Sequence, residues 1–232
     1  TINGFAPLAK VEITNIEGLE NYDTSDIYSS DQGKVFLWLP DGEYFFTVQE
    51  EGENERKMIA IVEGSNTEAQ DFEDTGVFIN GRDAGRLRGD GWSAAGGMVK
   101  IYSAGDYLIS GTNDGAEVSI KVEHTDARVT LDSLVMTNMN SFMSPLTFDG
   151  GTEVATFNLD LKGTNTLYGI ELETCAMTIG TKTRLIISGT GRLEAYGATN
   201  AAGIGIVNDV ATLIASITID SGDIVARGGE NG

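Results

Sequence analysis

The sequence predicts an all-β chain: a small antiparallel β-sandwich followed by a right-handed parallel β-helix. Three observations predict it. The last third of the chain repeats itself at a fixed offset. Glycine supplies 30 of 232 residues, while proline supplies three. Apolar residues fall in short alternating runs, with no helical periodicity anywhere. Glycine well above its usual ~7%, with so little proline, fits many tight turns better than disorder.

The repeat is the most specific of the three. Ile186, Gly191, Leu193, Ala195, Gly197 and Asn200 are answered by Ile217, Gly222, Ile224, Ala226, Gly228 and Asn231, an offset of 31 residues. Self-similarity at a period of 20–50 residues in short, Gly-punctuated β units marks a β-solenoid. Asn200 is followed by Ala201-Ala202-Gly203-Ile204-Gly205, whereas Asn231 is followed by Gly232 alone. The chain is therefore expected to be part of a longer protein.

In order along the chain, residues 1–75 read as the sandwich. Lys10-Val11-Glu12-Ile13 alternates as a strand does. Lys34-Val35-Phe36-Leu37-Trp38-Leu39 is a denser apolar run, closed by Pro40-Asp41-Gly42. That is a turn with a mechanism: Pro presets φ, Asp bonds local backbone and Gly accepts positive φ. Glu43 to Val48 then returns, so residues 34–48 read as a hairpin with Trp38 in the core, and residues 56–62 add a further strand. Residues 76–98 read as a Gly-rich linker or a cap on the β-helix, and residues 99–232 as the β-helix. Its main runs are Tyr107-Leu108-Ile109, Val129-Thr130-Leu131, Phe157-Asn158-Leu159, Ile186-Ile187 and Ile217-Thr218-Ile219, with lesser runs between them. Two to three short strands per coil is the arithmetic of a parallel β-helix. Alternation alone does not separate this from a second sandwich; the matched repeat favours the β-helix.

The net charge of −20 argues against a nucleic-acid partner, which needs a clustered basic face. No run approaches 18 consecutive apolar residues, so no membrane-spanning segment is expected. No N-terminal signal region is visible, although a processed chain would have lost one. Cys175 and His124 are each the single residue of their kind. An intrachain disulfide, a cysteine metal site and a two-histidine mechanism are thereby excluded, and no Gly-x-Ser-x-Gly elbow is present.

Two resemblances add to this reading. Pro7-Leu8-Ala9-Lys10-Val11, Asp31-Gln32-Gly33-Lys34-Val35 and Leu39-Pro40-Asp41-Gly42-Glu43-Tyr44 resemble, in that order, the carboxypeptidase regulatory-like, or transthyretin-like, sandwich family. The resemblance covers about 65 residues and implies a non-catalytic spacer in a secreted or surface protein. The family's first strand is mostly missing ahead of Ala6. Ala202-Gly203-Ile204-Gly205 with Ile217-Thr218-Ile219-Asp220-Ser221-Gly222 resembles Gly-rich repeats of large surface proteins of Gram-positive bacteria. Gly105-Asp106-Tyr107-Leu108-Ile109-Ser110-Gly111-Thr112 followed by Val129-Thr130-Leu131 resembles the bacterial carbohydrate-binding-domain-containing β-helix family. That likeness covers about 130 residues. It implies calcium-supported binding of polysaccharide, with acidic plant polymers such as pectin as the ligand class. Its motifs speak for fold more than for ligand.

Candidate sites follow from the chemistry. Asp132, Asp160 and Asp220 close successive β runs. Strands about 4.8 Å apart would stack their carboxylates at equivalent turns, and a bridging Ca²⁺ would relieve the repulsion; the alternative is that Asp simply suits turns. Asp23, Asp26 and Asp31 share a loop without an EF-hand pattern, and Arg88-Gly89-Asp90 is a chance-length tripeptide. Arg82, Arg86 and Arg88 form the single basic cluster, able to hold a sugar carboxylate or to pair with nearby acids. A flat aromatic ring stacks on the apolar face of a sugar, and Trp92, flanked by Gly91 and Ser93, is the leading candidate. Tyr102, Tyr168 and Tyr196 sit near turns and could join it; the last two, 28 residues apart, are expected to stack on one face or to pack coil ends.

The reading favoured is a non-catalytic polysaccharide-binding or adhesive region of a secreted bacterial surface protein, with a polysaccharide or host surface as partner. One alternative is a lyase or glycosidase on the same solenoid. A lyase would use metal-bound carboxylates and a Lys or Arg base, a hydrolase two carboxylates about 5–10 Å apart; Asp132, Asp160 and Lys162 are the groups available. The other alternative is a structural stalk or filament subunit whose coil ends stack.

Overall fold

The computed structural model describes residues 1–13, 27–49, 55–64, 67–72, 74–85, 88–113, 117–138, 143–206 and 215–232. The described residues are all-β, and the chain divides into two compact units, Thr1–Glu73 and Asp74–Gly232. No helix is long and apolar enough to cross a membrane among the described residues.

In the first unit, strands Ile27–Tyr28, Lys10–Ile13, Gly42–Gln49, Arg56–Val62 and Gln70–Asp71 lie side by side in that order as an antiparallel sheet. A short parallel pair, Ile2–Asn3 with Thr67–Glu68, stands apart from it. Val11, Ile13, Phe46, Val48, Met58 and Ala60 form a core with Ile2, Phe5 and Val35. The expected hairpin over 34–48 does not form. Val35 exchanges both main-chain hydrogen bonds with Ile2, at 2.9 Å each, while Gly42–Gln49 pairs with Arg56–Val62 and Lys10–Ile13. The Pro40-Asp41-Gly42 turn therefore divides two segments with different partners. Asp41 Oδ1 accepts from the Gly64 amide and Tyr44 donates to the Pro40 carbonyl, fixing that turn.

The second unit is a β-solenoid of about three turns, built from two long sheets. Its rungs stack in register. Tyr107, Val129, Leu159, Ile187 and Ile219 form one column, and Val99, Ile120, Leu146, Met177 and Ile204 another. These inward columns are buried until the last rung of each sheet, where Ile219 is exposed and Ile204 half-buried. Parallel strands buried on one face and stacked like-on-like bury each apolar side chain against its counterparts above and below.

The repeat read from the sequence is a real neighbour relation. Leu193 lies opposite Ile224 and Ala195 opposite Ala226. Ahead of the corner the offset is one residue longer, with Leu185 opposite Ile217, so the corner absorbs the difference. Asn165 seals an equivalent corner one coil earlier. It is fully buried, accepts from the Leu134 amide at 3.0 Å, and donates to the carbonyls of Lys162 at 2.9 Å and Arg192 at 3.1 Å. Three polar main-chain groups from three coils are thus satisfied by one side chain, as buried polar groups require. Residues 76–98 join the solenoid through antiparallel strands: Val77–Ile79 pairs with Gly105–Thr112, and Trp92–Ala95 with Met98–Ile101.

Candidate functional site

On the seven-stranded sheet, the outward positions between buried columns form a row across the rungs: Lys100, Lys121, Thr147, Thr178 and Gly205. Alternation along each strand dictates this row, because its neighbours on either side point inward. Over its middle three positions, Lys121, Thr147 and Thr178, lies a groove of about 570 Å³, lined also by Met98, Ser119, Met143, Ser144, Asp149, Leu172, Glu173, Cys175 and Ile206. Such a volume suits a small organic ligand or a few units of a polymer.

Two of the groove's charges, Lys121 and Asp149, are paired. Lys121 Nζ lies 3.0 Å from Asp149 and 3.1 Å from Glu123. Burial alone would lower the Lys121 pKa, but hydrogen bonds to Asp149 and Glu123 outweigh it and raise the value. Burial would likewise raise Asp149, yet the Gly151 amide and Lys121 hold it below its ordinary value. Both groups are therefore charged at neutral pH. The remaining polar lining is the exposed carboxylate of Glu173 and a set of hydroxyls: Ser119 points to the Met143 sulfur, and Ser144 and Thr178 share a short hydrogen bond. Burial raises the Cys175 thiol above its usual range, so it faces the groove as a neutral thiol.

A second feature occupies the other sheet. Thr137, Tyr168, Tyr196 and Arg227 align across four rungs. The two tyrosine rings stack, 5.2 Å apart and 13° from parallel, and Arg227 sits 5.8 Å from the Tyr196 ring centre. Tyr196 donates to Glu194, which also receives Arg192; Arg192 pairs in turn with Asp223. Arg192 and then Tyr196 lower the Glu194 pKa. Tyr196 is covered on both faces, whereas Tyr168 meets only Thr137 on its far side. The expected stacking of Tyr168 and Tyr196 is thus present.

Other expected site residues are not gathered here. Trp92 is a core residue, 1% exposed, not a sugar platform. Gly89 makes room for the indole: a side chain there would collide with the ring, while one at Gly91 would meet the Tyr107 hydroxyl. Trp38, expected in the core, is 93% exposed. Tyr102 is exposed but ends a strand of the seven-stranded sheet, away from the tyrosine row. Arg82 and Arg88 lie on edge strands of different sheets, and neither is without a partner. Arg86, Asp23 and Asp26 lie outside the described residues.

The aspartates do not stack. Asp132 lies opposite Lys162, while Asp160 lies between Thr130 and Ser188. The register pairs Leu131 with Leu161 rather than Leu159, two residues further along than the sequence suggests. Asp132 takes a hydrogen bond from Ser133 and Asp160 from Ser188, and Asp220 follows the last strand of that sheet. Among the described residues no three His, Cys, Asp or Glu side chains group to hold a metal ion. The carboxylate stack expected of Asp132 and Asp160 is therefore not formed.

The groove residues escaped the sequence reading, although Leu146-Thr147-Phe148 and Met177-Thr178-Ile179, 31 residues apart, carry a common apolar-Thr-apolar pattern that could have revealed the row. Comparison of the chain with family models, curated proteins and solved structures gave no match.

Proposed function

We propose that the Asp74–Gly232 unit binds polysaccharide without cleaving it, along the groove over Lys121, Thr147 and Thr178. One observation carries this reading: a concave strip crosses several rungs and presents hydroxyls, a paired Lys and Asp, and an apolar rim from Leu172 and Ile206. Sugars offer the matching surface, hydroxyls at the edge and C–H groups on the face. Binding is favoured over cleavage because Lys121 and Asp149 neutralise each other. That leaves Glu173 as the groove's one carboxylate without an ion pair among the described residues, where a hydrolase needs two. The pKa shifts of Lys121 and Asp149 move both away from neutrality, where a general acid or base is needed. The Thr1–Glu73 unit is read as a small sandwich of the transthyretin-like type acting as a spacer, and the whole as a region of a secreted surface protein. Its antiparallel sheet and separate parallel pair support this.

The test is a glycan array with the intact chain, followed by titration of any retained polysaccharide against Lys121→Ala and Tyr168→Ala. Loss with Lys121→Ala alone supports the groove. Loss with Tyr168→Ala alone moves the site to the uncovered face of that tyrosine, the second reading. Shortening of a retained polymer would replace binding by catalysis.

A further inference from the structure

Three successive corners of the solenoid are closed by the same four-residue turn. In Glu171–Thr174, Ala198–Ala201 and Gly229–Gly232 the last amide donates to the first carbonyl, at 3.0, 2.9 and 3.0 Å. These corners stack in order: Glu173 donates to the Thr199 carbonyl at 2.9 Å, and Asn200 to the Glu230 carbonyl at 2.8 Å. The third residue of each turn has positive φ, 66° at Glu173, 62° at Asn200 and 63° at Asn231. Gly and Asn suit such a position, whereas other L side chains crowd their own backbone there. Two of the corners carry Asn, and the third carries Glu against local preference.

Of the three residues, Glu173 is the one that lines the groove. It is exposed and forms no ion pair among the described residues. A side chain kept where its backbone is disfavoured serves something other than the turn. The surrounding charges say what. Lys121 already holds Asp149 and Glu123, so a ligand carboxylate approaching its ammonium meets two carboxylates in place. Lys100, beside Lys121 in the outward row, adds a second cation, and Glu173 a third carboxylate. Two positive groups thus stand against three negative ones, in a chain of net charge −20.

We propose that Glu173 sets the charge of the ligand: the groove takes polysaccharides that carry free amino groups and turns away those that carry carboxylates. This rests on the reading of the groove as a polysaccharide site, and narrows it. A protonated sugar amine donates to the Glu173 carboxylate. A uronate in the same place is repelled by it and finds Lys121 engaged.

The intact chain is titrated near pH 6, where carboxylates are ionised and the sugar amine is protonated, with a glucosamine hexamer and with a galacturonate hexamer. Galacturonate should bind about tenfold more weakly than glucosamine. Glu173→Asn installs the residue that the next two corners use, so it should melt at the wild-type midpoint or slightly above. The preference for glucosamine should nevertheless fall about fivefold, the weight of one exposed charge contact. Glu12→Gln removes the same charge from an exposed strand position of the other unit and should leave the preference as it was. Galacturonate binding as tightly as glucosamine, or a preference that Glu173→Asn does not reduce, overturns the proposal and leaves the polysaccharide reading standing. An equal fall in Glu12→Gln does the same, because net charge would then be the cause. So does a glucosamine hexamer that fails to bind at millimolar concentration while another polysaccharide is retained. If no saccharide binds in either the array or the titration, the reading of the groove falls and the proposal with it.

Discussion

Tyr168 and Tyr196, 28 residues apart in sequence, lie on adjacent rungs with their rings stacked at 5.2 Å and 13°. The pair follows from register: each ring projects from the outward face of its strand at the same height. Aromatic pairs of this kind contribute about 0.5–1.5 kcal/mol beyond area burial, and partial exposure places this one at the lower end. A double-mutant cycle with Tyr168→Ala and Tyr196→Ala, read by denaturant unfolding, should give a coupling energy of about 0.5 kcal/mol. Additive effects would reduce the stack to a coincidence of register.

Asn165 should be among the most sensitive polar residues. Asn165→Ala removes the acceptor for Leu134 and the donors for two buried carbonyls. Stranding such groups costs about 2–3 kcal/mol in all, or roughly 4–12 °C in melting midpoint for a domain of this size. Calorimetry checks it, with substitution of the exposed Asn158→Ala as a control.

The ion pair of Lys121 and Asp149 sets a pH window. The Asp149 pKa is lowered on folding, so its contribution is present above the unfolded value of about 3.9 and disappears as pH falls through the folded value. The Lys121 pKa is raised, so its contribution is present below about 10.4 and disappears as pH rises through its folded value. Asp149→Asn should flatten the acid side of the stability curve and, by removing a partner of Lys121, weaken the alkaline side. Melting midpoints from pH 3 to pH 11 test both limbs.

Two glycines should respond oppositely in kind. At Gly191 a β-carbon would sit 2.6–2.7 Å from backbone atoms of Gly163 and Lys162, which cannot yield without moving a neighbouring coil. Gly191→Ala should cost about 3 kcal/mol or more, beyond the usual range for overpacking. Gly151 has open space around it but a φ of +75°, so Gly151→Ala should cost only about 1 kcal/mol, the strain of a left-handed residue. Urea unfolding of both variants separates steric from conformational effects.

Asp160→Asn should shift the melting midpoint by the same amount in chelator and in excess Ca²⁺. Asp132 faces Lys162 and Asp160 faces Ser188, so no carboxylate stack awaits relief by a cation. A chelator-dependent midpoint would require a site elsewhere.

What the sequence made legible was what repeats. Apolar columns and the Leu193–Ile224 relation come from like residues stacked on like, and periodicity reports that directly. Register at corners was not legible. Asp132 and Asp160 end similar runs, but the offset between their strands is set by how Ser133 and Gly163, both at positive φ, turn the chain. The tryptophans show the limit of local context. The glycines around Trp92 looked like a loop, and Gly89 and Gly91 proved to be clearance for the buried Trp92 and Tyr107 rings, while the apolar run around Trp38 looked like core and has one side uncovered. The groove was hidden because Lys121, Thr147 and Thr178 look like ordinary outward residues until their strands are neighbours.

The in-register stack also has a mechanical consequence. Each coil is bonded mainly to the one before and the one after, so tension applied along the chain loads one rung at a time. Pulled from the Gly232 end, the solenoid should peel in discrete steps, each releasing about 30 residues, or roughly 100 Å of extended chain. A protein built this way gives length under load in measured increments while the remaining coils stay folded.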